Sequence, residues 1–157
     1  MATQTFKNEI VINGPPAKVF DVVTITGYWP LWHEMTRAVG GVTETPFQMG
    51  DKIYEFIRTP TGPSEFHWTI TEFDRPRECA MTAQDGTVLR YTFKAVPEGT
   101  LFTREVNIAA VPTDPEFEGR SVQRLKALVE DVLWREGKSP TFDTAEAKRA
   151  MKGAHLR

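Results

Sequence analysis

The chain has 157 residues, 40% of them hydrophobic and 25% charged, which is enough for one domain around a single core. Nineteen Lys+Arg against 21 Asp+Glu leave a formal charge of −2, with no basic run and no aromatic–basic interleaving, so no nucleic-acid partner is expected. A single cysteine, Cys79, excludes an intrachain disulfide. There is also no apolar run of membrane-spanning length and no charged-then-apolar leader, so a cytoplasmic protein without a transmembrane segment is expected.

Residues Phe6 to Asn13 alternate in polarity and predict a strand with Phe6, Ile10 and Ile12 on one side. Gly14-Pro15-Pro16 breaks it, and Pro16 opens a short helix in which Val19, Phe20 and Val23 recur at helical spacing. Gly27-Tyr28-Trp29-Pro30 ends that helix, and Leu31 to Met35 reads as a second short helical turn. Strands follow. Arg37 to Val42 is weak because Gly40-Gly41 sits inside it, so a short or bulged strand is expected. Lys52 to Arg58 is better, and Thr59 to Pro63 reads as a loop. Glu65 to Phe73 is the strongest strand, with Phe66, Trp68 and Ile70 on one face and His67 on the other. Glu78 to Ala83, Thr87 to Ala95 and Thr100 to Ala110 follow, joined by turns at Asp85-Gly86 and Pro97-Glu98-Gly99. Sequential strands with tight turns make an antiparallel meander.

The stretch Gly119 to Gly137 then gives a long amphipathic helix. Val122, Leu125, Leu128, Val129, Val132 and Leu133 fall on one arc, with Arg124, Asp131 and Arg135 opposite. Asp114-Pro115 offers an earlier start, at the cost of an interior glycine at 119. Residues 1–137 therefore read as one α+β domain. Residues 138–157 read as a tail with a short peripheral helix, capped by Asp143 and Glu146 and ended by Gly153.

This order of elements resembles the START-like or SRPBCC superfamily, which includes polyketide cyclases, lipid-transfer domains and the major birch pollen allergen. The local matches are EIVINGPPAKVFDVV at the first strand and helix, GYWPLWHEM at the second short helix, TITEFDRPREC at a strand–turn–strand, and PEGTLFTREV before the last helix. They cover residues 3–137 and are structural rather than chemical. The resemblance implies a helix-grip fold: a curved antiparallel sheet wrapped around the C-terminal helix, enclosing a cavity for a small, mostly apolar molecule.

Strand parity names the side chains expected to face that cavity. They are Trp68, then Tyr91 and Phe93, then Phe102 and Arg104, with Leu125 and Val129 from the helix. Around Tyr54 the parity is open. Either Tyr54, Phe56 and Arg58 face inward or Ile53, Glu55 and Ile57 do; the first choice puts two aromatics toward the cavity, and a bulge would reverse it. Arg104 is the exception on an apolar face. It either grips a ligand carboxylate or enolate, or pairs with a carboxylate such as Glu72 or Glu55, and structural pairing is the commoner use of such a residue. His67 falls on the solvent face, while His33 sits near a loop at the cavity mouth. The run HEMTR is not a zinc HExxH, since Arg37 replaces the second ligand, and no nucleotide-binding or hydrolase motif occurs, so neither metal nor cofactor is expected. The leading expectation is a carrier for an apolar ligand. A cyclase or aromatase using Arg104, Tyr91 and Tyr54 to polarise ketones is the alternative, and a protein-interaction role is a third. The carrier leads because no acid or base besides Arg104 and the tyrosines is expected inside.

Overall fold

The structure is a computed structural model, and it describes residues 4–108 and 115–138. The expected tail helix lies outside those residues. Strand β1 (Gln4–Ile12) leads into α1 (Pro16–Val23), a 3-10 turn (Thr26–Tyr28) and the single turn α2 (Trp29–Trp32). Six strands follow: β2 (Thr36–Gly41), β3 (Lys52–Thr59), β4 (Gly62–Asp74), β5 (Glu78–Ala83), β6 (Val88–Val96) and β7 (Gly99–Ile108). Helix α3 (Pro115–Lys138) comes last.

All seven strands form one antiparallel sheet in the order β1-β7-β6-β5-β4-β3-β2, so β1 returns beside the last strand and the other strands meander. The sheet curves as a half-barrel around α3, which packs on β1, α1 and α2. Its apolar arc does the packing: Val122, Leu125 and Val129 are buried, while Arg124, Asp131 and Arg135 are exposed. Two polar contacts tie α3 to the start of the chain. The Asn13 N–H donates to Glu130 Oε2 at 2.9 Å, and Lys126 Nζ donates to the Val11 carbonyl at 2.8 Å. The helix begins at Pro115, so Gly119 is interior; a Cβ there would meet only Asn8 Oδ1 at 3.8 Å, and nothing in the packing demands the glycine.

Helix α1 closes one end of the half-barrel. Pro16 fixes its first turn, and Val19, Phe20, Val22 and Val23 are buried. Phe20 packs on Phe93 at 4.9 Å between ring centroids, and Phe93 on Phe102 at 5.3 Å. Arg75 holds α1 to the turn between β4 and β5 through a bidentate pair with Asp21 at 2.8 and 2.7 Å.

One local expectation is corrected. The segment 59–63 is not an extended loop, because β3 runs to Thr59 and β4 starts at Gly62, with Thr59 Oγ1 donating to the Gly62 carbonyl at 2.8 Å. The irregularity expected in β2 is present, as a register shift between Thr36 and Ala38. Gly41 has another role. Its φ is +85°, and a Cβ there would stand 2.3 Å from the Lys52 carbonyl oxygen, so only glycine lets β2 close onto β3.

Candidate functional site

Strand β3 alternates without interruption, and its inward residues are Ile53, Glu55, Ile57 and Thr59. Tyr54 and Phe56, expected at the cavity, are instead 39% and 45% exposed on the outer face. The register with β4 decides this. Ile53 lies opposite Trp68 and Glu55 opposite Phe66, both inward residues, whereas Tyr54 pairs with His67 and Phe56 with Glu65 on the outside. The partners of the inward Glu55 lie on other strands, where parity within β3 does not reach. Trp68 Nε1 donates to Glu55 Oε1 at 3.1 Å, and the Thr36 hydroxyl donates to Oε2 at 2.5 Å. Those two bonds make the inward carboxyl tolerable.

Thr36 is also the link to His33. His33 Nδ1 lies 2.6 Å from Thr36 Oγ1, and since the hydroxyl proton goes to Glu55, Nδ1 carries the proton that reaches Thr36. His33 is buried, edge-on to Trp32 at 5.8 Å and to Phe117 of α3 at 5.1 Å. Burial first, and then the charge of Arg104, hold its pKa well below the ordinary 6.5. Burial raises the Glu55 carboxyl above 4.5, against the hydrogen bonds from Thr36 and Trp68.

Arg104, on β7, is 5% exposed and pairs with Glu118, which is 2% exposed in the first turns of α3. The expected ion pair therefore exists, but its partner is neither Glu72 nor Glu55. Glu72 lies on the outer face with Arg90. Burial works against the Arg104 charge, yet Glu118, and then Tyr91 and Glu55, keep its pKa above the ordinary value. The guanidinium also stands 5.8 Å from the centroid of the Trp32 ring.

These groups surround a cavity of about 40 Å³ between the sheet and the start of α3. Its walls are mainly apolar, including Ile57, Phe66, Leu89 and Val106 from the sheet, with Trp29, Trp32 and Met35 from the segment after α1. The polar wall consists of His33, Glu55, Tyr91, Arg104 and Glu118 together with Thr87 and Trp68. Of the residues expected to line it, Trp68, Tyr91 and Arg104 do so. Phe93, Phe102, Leu125 and Val129 are buried, but they belong to the packed core rather than the cavity wall. The sequence reading holds Glu55 only as the alternative choice, misses Glu118, and places His33 at the mouth rather than inside. A groove of about 300 Å³, lined by Glu34, Arg58, Thr59, Pro60, Phe117 and Arg120, lies outside the cavity, and Met35 belongs to both walls.

Among the described residues, four buried side-chain polar atoms have no hydrogen-bond partner: Trp29 Nε1, Trp32 Nε1, Tyr91 Oη and Arg104 Nε. All four residues line this one cavity. Burial raises the Tyr91 pKa and the neighbouring Arg104 guanidinium works against that rise; the two groups stand close, but not in the geometry of a formed hydrogen bond. Cys79 lies elsewhere in the core; burial pushes its thiol up to about 12, which makes it a packing residue rather than a nucleophile.

Residues 3–135 match the family described as polyketide cyclase/dehydrase and lipid transport. The chain belongs to this family. Solved structures agree on the fold. Protein CV1439 from Chromobacterium violaceum is 16% identical, with a TM-score of 0.64 over 81% of this chain and 98% of that one. DR_A0006 from Deinococcus radiodurans is 14% identical, with a TM-score of 0.62 over 81% and 97%. An AHSA1-like protein from Aeromonas hydrophila is 14% identical, with a TM-score of 0.57 over 90% and 99%. No curated protein matches. The family spans enzymes and carriers, so membership fixes the architecture and leaves the chemistry to the site. Among the described residues, no helix is long and apolar enough to cross a membrane.

The opposite signs of the His33 and Glu55 shifts give a test of this site by pH. A histidine held neutral in the fold takes up a proton more readily when unfolded, so its contribution is lost as pH falls from about 6.5 toward its folded pKa. A carboxyl raised by burial works the other way: its contribution is full below 4.5 and is lost as pH rises through the folded pKa. The two slopes have opposite signs: the His33 slope begins near 6.5 as pH falls, and the Glu55 slope ends near 4.5. His33→Asn keeps a donor toward Thr36 without a titrating ring. Melting curves from pH 7 to 3.5 should show a shallower acid limb for His33→Asn than for the parent. Superimposable limbs would mean that His33 already titrates normally.

Proposed function

We infer that the protein binds a small, mostly apolar ligand in the cavity between the sheet and α3. The observation that carries this reading is the cavity wall: mainly apolar, with a few polar groups among its lining and Glu118 of α3 at its edge. Its volume of about 40 Å³ holds about three waters, so a ligand seats only one end there. The remainder extends past Met35 into the outer groove of about 300 Å³. Family membership supports a carrier or an enzyme equally, and the fold neighbours add architecture alone. His33, Glu55 and Glu118 all line the cavity, so it contains acids and a base that the carrier expectation did not include. Binding is the part common to both roles.

Saturation-transfer NMR with three eight-carbon compounds, oct-1-ene, octan-2-one and octanoate, tests the reading. Three of the four tryptophans line the cavity, so a blue shift or quenching of tryptophan emission gives an independent readout. At least one compound should bind with micromolar to low-millimolar affinity. Absence of both signals for all three would refute a ligand cavity of this class.

A further inference from the structure

We propose that Glu118 sets the specificity of the cavity: by neutralising Arg104 it makes the site one for an uncharged hydrogen-bond acceptor, such as a ketone or ester carbonyl, and closes it to carboxylates. This deepens the binding reading above and rests on it.

The four unpartnered atoms define the ligand first. Two indole N–H groups and a guanidinium N–H can only donate, and the Tyr91 hydroxyl can do so. Buried donors left unpaired are costly, and here the residues that carry them all line one cavity. A hydrocarbon leaves all of them unmet, and a group that mainly donates does no better. An oxygen with two lone pairs can accept from up to two.

Charge then separates the two kinds of acceptor. An unpaired buried arginine would favour a carboxylate, which is the usual inference from a cation on an apolar face. Arg104, however, already carries the carboxylate of Glu118, with both side chains nearly inaccessible to solvent. A second carboxyl, Glu55, faces the same cavity and is coupled to Arg104. An anionic ligand would bring another negative charge into a low-dielectric space whose one guanidinium is already matched. It would also lose its hydration on entry. A carbonyl oxygen meets the same donors without that cost. Nothing in this scheme requires a change in the fold, because Nε and Nη1 of one guanidinium serve different partners: Nη1 faces Glu118 and Nε is free.

The three eight-carbon compounds provide the test. For the parent protein at pH 7, octan-2-one should bind about tenfold or more tightly than either oct-1-ene or octanoate. Glu118→Gln keeps the shape of the side chain but removes the charge. It should strengthen octanoate binding by about tenfold or more while changing octan-2-one little. Trp32→Phe and Tyr91→Phe delete one donor each and leave Glu118 paired with Arg104. Each should weaken octan-2-one several-fold and leave oct-1-ene unchanged, so the proposal stays testable if Glu118→Gln does not fold. Equal affinity for alkene and ketone would overturn the acceptor site and leave the apolar cavity standing. Octanoate binding tightest in the parent would overturn the role of Glu118. Failure of all three to bind would remove the cavity reading and this proposal together.

Discussion

Arg104→Met should lower the unfolding free energy by about 3–5 kcal/mol, because it leaves the Glu118 carboxylate in the core without its counter-charge. Glu118 is 2% exposed and Arg104 5%, so solvent cannot replace the lost partner without opening the start of α3. Methionine keeps much of the arginine stem, which limits the packing loss and isolates the electrostatic part. The double variant Arg104→Met/Glu118→Leu removes both charges and should recover most of the stability. Buried ion pairs replaced as a unit by apolar residues are often neutral in cost. Chemical denaturation of the parent, both single variants and the double variant closes the cycle. A single-variant cost below about 1 kcal/mol, the range of exposed pairs, would show that the pair is solvated and that α3 starts less tightly packed.

Val106→Phe should abolish ligand binding while leaving a folded protein. Val106 is on β7, two residues beyond Arg104, and lines the cavity. The added ring is too bulky for ligand and side chain to share about 40 Å³. Overpacking of this kind costs about 1–3 kcal/mol, which a domain of ordinary stability survives. The informative comparison is Val129→Trp. Helix α3 carries Val129 in the fully packed core away from the cavity wall, so that substitution should destabilise the fold more than Val106→Phe. Tryptophan emission with octan-2-one as titrant reads binding, and thermal melting reads the fold. Undiminished ketone binding by a folded Val106→Phe protein would place the site elsewhere.

Much of this architecture is legible along the chain. The apolar arc of α3 runs from Val122 to Leu133, and a stripe that wide needs a broad surface to cover it. The strand with Phe66, Trp68 and Ile70 inward and His67 outward has that arrangement, and Arg104 is buried as parity required. Period-two and period-3.6 patterns are properties of one segment at a time, so they survive without knowledge of neighbours. They also fail one segment at a time. In β3 both faces contain large apolar side chains, and counting aromatics chose Tyr54 and Phe56 over Ile53, Glu55 and Ile57.

What the sequence determined by itself is therefore the order of elements, the α+β class, the amphipathic closing helix and the inward place of Arg104, because local periodicity encodes each of them. The tertiary structure alone decided which way β3 faces, since its register with β4 sets Ile53 against Trp68 and lets two donors from other strands satisfy Glu55. It alone joined Arg104 to Glu118, 14 residues further on, because only the approach of α3 to the sheet brings them together. It also divided the apolar residues between a packed core around Phe93, Phe102, Leu125 and Val129 and the wall of a small cavity. That division depends on the distances between layers, and no single segment contains those distances.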